Sequence, residues 1–182
     1  GDGKINDDDQ VPIGYSNFPE IMYGISLGGS YKNLDISLLF QGATHVSNMP
    51  SRRIMRGFYE YTGANRDLLK SWSYERFVNN QKIVYPRYGV NGVGHNYLTS
   101  TYWLEDASYL RLKNVEVGYT FRQESLKKAG IGSIRIYVNG SNLLTWTDML
   151  PGQDPEVANA GVTNSEPYPV TRVFNFGLNV NF

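Results

Sequence analysis

The last fifteen residues, Tyr168 to Phe182, read YPVTRVFNFGLNVNF and constrain the fold more than any other stretch. From Phe174 onward, Phe174, Phe176, Leu178, Val180 and Phe182 alternate without a break against Asn175, Gly177, Asn179 and Asn181. Period two means a β-strand with one apolar and one polar face, because successive side chains of a strand point to opposite sides. A half-buried strand of a soluble sheet shares that pattern. The uncharged run from Val173 to Phe182, however, has the length of a tilted transmembrane strand, roughly 9 to 11 residues. Its polar face is small and neutral, as a barrel lumen tolerates. The stretch predicts the closing strand of a transmembrane barrel, with Phe174, Phe176, Leu178, Val180 and Phe182 toward lipid.

Composition agrees and removes other classes. The 182 residues carry 17 basic and 17 acidic side chains, so no electrostatic case for nucleic acid exists. Tyrosine leads the aromatics, 14 against 8 Phe and 3 Trp, alongside 19 Gly, which suits strands, turns and aromatic girdles. Absence of cysteine excludes disulfide frameworks, Cys-based zinc sites and thiol catalysis. No apolar run reaches about 18 residues, which excludes a spanning helix but is blind to barrel strands. The opening Gly-Asp-Gly carries no export signal, so the expectation is the C-terminal piece of a longer exported chain.

In order, residues 1–17 form an acidic, turn-rich segment, expected as the remnant of an extracellular loop. Against an EF-hand-like loop, Asp2 would be its fifth position, Gly3 the sharp turn and Asp9 the last ligand. The first two ligand positions are missing, so calcium is an expectation only for a longer protein. Residues 18–45 predict a transmembrane hairpin: Ile21, Tyr23, Ile25, Leu27 and Tyr31 share a face that resumes after Lys32-Asn33 at Leu34, Ile36, Leu38 and Phe40. The opposite face is small and polar, and the strands hold almost no charge, which fits a wet interior.

Residues 46–101 predict a long extracellular loop, rich in aromatics and basic residues, with two short helices capped by Ser51 and Asn65. Residues 102–147 predict a strand pair. In the first strand Val115, Val117, Tyr119 and Phe121 share a face, whereas Leu110 and Leu112 have opposite parity, so a bulge is expected near Lys113-Asn114. In the second, Ile134, Ile136 and Val138 point outward and Arg135, Tyr137 and Asn139 inward. Residues 148–167 are a further extracellular loop and 168–182 the closing strand. Connections alternate long and short, which in such barrels puts short turns and the C-terminus in the periplasm. Five strands cannot close a barrel.

The ordered segments DGKIN, IMYGISLGGSYKNLDISLLFQG, WLEDASYLRLKNVEVGYTF, IRIYVNGSNLLTWT, DPE and YPVTRVFNFGLNVNF resemble the C-terminal portion of SusC-like (SusC/RagA) TonB-dependent outer-membrane transporters. The resemblance covers nearly the whole chain and is loosest in residues 46–101. It implies an all-β, antiparallel transmembrane barrel in the outer membrane of a Gram-negative bacterium, large and plugged, of which this chain supplies the last five strands. Plugged barrels of about 22 strands are a recognised class. The resemblance also implies import of an oligosaccharide or peptide. Its partners would be the N-terminal plug and earlier strands, a SusD-like surface lipoprotein, TonB acting through the plug, and the assembly machinery that reads the terminal strand.

Catalytic readings fail. Glu105-Asp106 and Asp148 offer no defined separation for paired-carboxylate chemistry, and His45 and His95 have no triad partners. Among the loop aromatics, Tyr59, Trp72, Tyr85 and Tyr88 are the candidate substrate contacts, by stacking on apolar sugar faces; internal packing is the competing role. Asp154-Pro155-Glu156 is either a ligand contact or a proline-structured turn. A soluble all-β glycan-binding module is the alternative for the whole chain, and would load its outward strand faces with charge.

Overall fold

The computed structural model describes residues 3, 6–59, 63–64, 66–89, 94–150, 152–157 and 168–182. Among the described residues the strands are, in chain order, β1 (Ile21–Tyr31), β2 (Leu34–Thr44), β3 (Ser47–Asn48), β4 (Glu105–Asp106), β5 (Tyr109–Phe121), β6 (Ser133–Thr147) and β7 (Val173–Asn181). β1, β2, β5, β6 and β7 form one antiparallel sheet in that order, and β3 pairs with β4 in a second, two-stranded one. Every neighbour in the large sheet is its neighbour in sequence among the long strands. Lys32 turns β1 into β2 with φ of 56°, the left-handed conformation that a two-residue hairpin turn requires.

Registry carries the alternation of each strand into one continuous face. Tyr31, Leu34, Tyr119, Ile136 and Leu178 form one cross-strand row, and Ile36, Val117, Val138 and Phe176 another. The opposite parity of Leu110 and Leu112 is absorbed by a bulge at Lys113, as the sequence predicts. Between the same two rows, Leu38 to Phe40 is two residues, Val115 to Leu112 three, and Gly140 to Leu144 four. The irregularity therefore grows strand by strand, and Asn142 accommodates it with φ of 56°. An extra residue on one strand bends it and increases its twist. Its consequence here is that Leu112 and Leu144 rejoin the apolar face.

Among the described residues no layer covers that face. Ile25 is 51%, Leu178 62% and Phe176 82% exposed. The described buried hydrophobic residues lie elsewhere, in the long connection and at the end of the sheet that it leaves. Met55, Tyr85, Tyr97 and Trp103 form one cluster, against which Met49, Leu68, Val84 and Leu150 pack; Val46, Ala107 and Met149 form another. Trp103 is its hub. The indole N–H donates to Asn96 O at 2.8 Å, its ring lies 5.9 Å from Tyr85 and 6.1 Å from Tyr97, and Tyr102 meets it edge-on at 5.0 Å.

The described residues between 46 and 107 are thus a folded body at one end of the sheet. The third long strand begins at Tyr109 rather than Tyr102, because Trp103 and Ala107 belong to these clusters and β4 pairs with β3. The helix after Ser51 is a single turn, α1 (Arg52–Met55), ending before Phe58, whose φ is 58°. Arg66–Lys70 form a 3₁₀ turn, while Tyr61 and the cap Asn65 lie outside the described residues. Two further short helices are α2 (Tyr74–Val78) and α3 (Glu124–Lys128), the latter between β5 and β6.

Replacing a buried tryptophan by alanine costs about 3–5 kcal/mol. Trp103→Ala is expected to open the body of residues 46–107 to limited proteolysis, with the strand segments still protected; equal resistance of variant and wild type would contradict its role as hub.

Candidate functional site

Two clusters of charge occupy the polar face of the large sheet. The first lies toward the short turns. Asp35, Glu116 and Arg135 stand on β2, β5 and β6 at polar-face positions of adjacent rows. The Arg135 guanidinium donates to both Asp35 oxygens, with its Nε at 3.1 Å from Oδ1, and to Glu116 Oε1 at 2.7 Å. To reach them it lies across Gly118, where a Cβ would overlap the guanidinium. Tyr137 lies across Gly177 in the same way. These glycines let long side chains lie flat on the wall, which is why both stand on the polar face opposite bulky apolar neighbours. All three charged groups remain partly exposed.

The second cluster joins the sheet to the loops. Arg111, on β5, is buried; it donates to Asp154 Oδ1 at 2.6 Å and to Glu156 Oε2 at 2.9 Å. Lys113, the bulged residue, donates to both Glu156 oxygens at 2.8 Å. Asp154 also accepts the backbone N–H groups of Glu156 and Val170, each at 3.0 Å. Two cations face two anions with further hydrogen bonds on the carboxylates, the condition for holding charge away from water. Asp154-Pro155-Glu156 is therefore a latch that fastens the loop after β6 to β5 and to the entry of β7. Glu105 repeats the device beside it, accepting from Asn48 Nδ2 at 3.0 Å, Leu150 N at 3.0 Å and Gln153 Nε2. Both Glu105 oxygens are engaged in this way, so it is a strut.

The four candidate contact aromatics do not share one surface. Tyr85 is 2% exposed within the core cluster, and burial pushes its hydroxyl above the ordinary tyrosine range. Tyr88 donates its hydroxyl to Gly57 O at 3.1 Å. Tyr59 lies 5.3 Å from the Arg56 guanidinium, whose other neighbour, Tyr97, is at 4.3 Å. Trp72 is 37% exposed, and its backbone N–H donates to Tyr85 O at 2.8 Å. Of the metal candidates, Asp2 lies outside the described residues, and Asp9 accepts the Asn6 N–H at 3.0 Å in an exposed turn. Among the described residues no group of three potential metal ligands comes together. On β7, Phe174, Phe176 and Leu178 are exposed, Val180 is half-buried, and Phe182 follows the strand fully exposed. The sequence reading missed both ion clusters. Their signals were present: three charges at inward positions of nearly uncharged strands, and the acids of the DPE segment against the paired cations Arg111 and Lys113.

Arg111→Ala strands Asp154 without its buried partner, a loss of about 3–5 kcal/mol. Faster proteolysis within residues 148–170 is the expected result, with partial recovery in Asp154→Asn/Arg111→Ala; wild-type protection in the single variant would refute the latch. Tyr85 Oη has no hydrogen-bond partner among the described residues, so Tyr85→Phe is expected to leave thermal stability unchanged or raise it by about 1 kcal/mol. A drop would show that the hydroxyl has a partner.

No family profile matches the chain. Curated relatives do. Over its whole length the chain is 33% identical to TonB-dependent receptor P3 and 34% identical to TonB-dependent receptor P26, both of Formosa agariphila, and 25% identical to TonB-dependent receptor SusC of Bacteroides thetaiotaomicron. It spans 18%, 19% and 17% of their respective lengths. Among solved structures, the RagAB peptide importer is similar in its open-open state (TM-score 0.69, 25% identity) and its closed-closed state (TM-score 0.72, 27% identity). Each match covers 98% of this chain and 19% of the other. These relatives are receptors and importers by name, not enzymes. Sequence similarity along the entire chain and a shared fold lead to one conclusion: the chain is similar to a segment of TonB-dependent receptors, SusC among them, and spans about a fifth of their length.

Proposed function

We propose that this chain forms the last five strands of a large, plugged outer-membrane barrel that imports an oligosaccharide or a peptide. One observation carries the reading. The large sheet has an apolar face, continuous across five strands and uncovered, opposite a polar face with paired charges. A soluble glycan-binding module would bury that face or charge it. A barrel wall needs it open, because lipid is its cover. The strand lengths fit. An 11-residue strand such as β1 at about 3.3 Å per residue, tilted by about 45°, crosses roughly 25 Å.

In this reading lipid meets Ile25, Leu38, Val117, Ile136, Phe176 and Leu178, and the Asp35–Glu116–Arg135 cluster faces the lumen. The short turns and Phe182 are periplasmic; the latched loop body is extracellular. The free edges of β1 and β7 pair with the remaining strands, which removes the unpaired backbone groups that hydrocarbon does not tolerate. The remaining N-terminal part supplies a plug through which TonB delivers energy, and a SusD-like lipoprotein meets the extracellular side. RagAB, named as a peptide importer, supports peptide as one substrate class, and the likeness to SusC supports the same kind of receptor. Calcium held by Asp2 and Asp9, and sugar contacts from Tyr59, Trp72, Tyr85 and Tyr88, remain proposals, of which Tyr85 is least supported because it is buried. Phe174, Phe176, Leu178, Val180 and Phe182 serve both closure and recognition by the assembly machinery.

A charge at the middle of the lipid face costs up to about 2–4 kcal/mol for Arg or Lys and less for Asp, whereas the lumen face accepts it. In the full-length receptor, Leu178→Asp or loss of Phe182 is therefore expected to lower the folded, heat-modifiable species in the outer membrane severalfold, and Asn179→Asp to leave it unchanged. Equal assembly of all three would overturn the barrel orientation.

A further inference from the structure

Arg56 follows α1 at a point where the backbone is pinned on both sides. Met55 before it is buried in the core cluster. Gly57 after it is buried as well, and a Cβ there would overlap Leu68 Cδ1 and press on Ala64. The Gly57 carbonyl also accepts the Tyr88 hydroxyl at 3.1 Å. From this anchored stem the Arg56 guanidinium reaches 4.3 Å from the centre of the Tyr97 ring and 5.3 Å from that of Tyr59. Tyr97 is itself fixed, being 8% exposed and stacked on Trp103 with the ring planes 19° apart.

Aromatic rings satisfy the faces of a guanidinium and leave its edge. The attraction of a cation to a ring acts through the ring face, whereas the five N–H donors lie in the guanidinium plane and need acceptors. Lys70, Arg111, Lys113 and Arg135 each hold a carboxylate, but among the described residues Arg56 holds none. Burial pushes the Tyr97 hydroxyl above the ordinary tyrosine range, although Arg56 opposes the rise, so the ring is neutral at physiological pH and supplies no counter-charge. Arg56 and Tyr59 are both half-buried, not closed in. A lid over Tyr97 needs only the apolar stem of a long side chain. The charged fork without a counter-ion is what that role leaves over.

We propose that Arg56, walled by Tyr59 and Tyr97, is a carboxylate-binding subsite that selects anionic substrate, through an acidic group of a peptide or a uronate of an oligosaccharide. A carboxylate is planar and singly charged, and it accepts two parallel N–H bonds from one guanidinium. The flanking rings thin the water around that pair and so strengthen it. A phosphate monoester carries about 1.5 to 2 charges and calls for more than one cation, whereas Arg56 is the cation that lies against these two rings. The inference rests on the importer reading, which puts the loop body on the side from which substrate arrives, and deepens it by assigning the substrate a charge.

The test follows modification of Arg56 by phenylglyoxal in the purified full-length receptor, located by peptide mass. The probes are an oligoglutamate peptide and its oligoglutamine counterpart, an oligogalacturonate and its methyl ester, and inorganic phosphate. One acidic probe, which identifies the substrate as peptide or sugar, is expected to slow the modification about tenfold relative to its neutral counterpart, the scale of one charge-assisted pair. In equilibrium dialysis the same preference should vanish in Arg56→Gln and fall severalfold in Arg56→Lys, which keeps the charge and loses the fork. No slowing by either acidic probe, equal slowing by the neutral counterparts, stronger slowing by phosphate, or a preference retained in Arg56→Gln would each overturn the proposal. Wild-type labelling needs no variant, so it decides even where Arg56→Gln fails to fold. Membrane fractionation of the same receptor reads the importer proposal independently, because the labelling reports the subsite wherever the receptor resides.

Discussion

A sheet that is apolar on one face from edge to edge needs a cover other than water, and the rest of this structure follows from that requirement. Isolated exposed hydrophobic groups are ordinary, but a contiguous face is not. Here the face runs from Ile25 on β1 to Phe176 on β7, and the described residues place no helix or second sheet above it. The opposite face is small, polar and, where charged, paired. Two solvents of opposite character satisfy such a sheet, and a membrane barrel offers both. The bulge that widens from β2 to β6 serves the same end, since it returns Leu112 and Leu144 to the apolar side.

Stability is divided between sheet and loops in an unusual way. The described core lies in the connections, with Trp103 as hub, and buried Arg111 fastens those connections to β5. Neither feature could anchor the other alone. The loop core has too few residues to define its own orientation, and the buried ion cluster contributes specificity more than net stability, since desolvation offsets much of its attraction. Together they hold the described residues of 46–107 and 148–157 as one platform at the end of the sheet. The segment that carries α2 is tied to that platform through Tyr85 and the Ser71 bridge.

The strands were legible because alternation is a local signal, and the bulge because it leaves a parity error between Leu112 and Val115. The latch was not, because its partners are more than forty residues apart and each acid of the DPE segment reads locally as turn chemistry. α2 escaped for a different reason: five residues are too few to display a helical period. Tyr85 illustrates the limit of residue type. An aromatic ring suits a sugar face and a loop core equally, and only burial separates the two. The third long strand starts at Tyr109 and not at Tyr102, because tertiary packing takes Trp103 into the loop body, and no local pattern signals that.

Which face of β7 meets lipid is the question on which the functional account turns, and side-chain environment along one strand answers it. Spin labels placed singly from Phe174 to Asn181 in the full-length receptor, reconstituted in bilayers, report accessibility to oxygen in lipid and to a polar relaxant in water. The barrel reading predicts strict alternation, with oxygen favoured at residues 174, 176, 178 and 180 and the polar relaxant at 175, 177, 179 and 181. Uniform access of the polar relaxant at all eight positions would contradict it and leave the apolar face to be covered by protein.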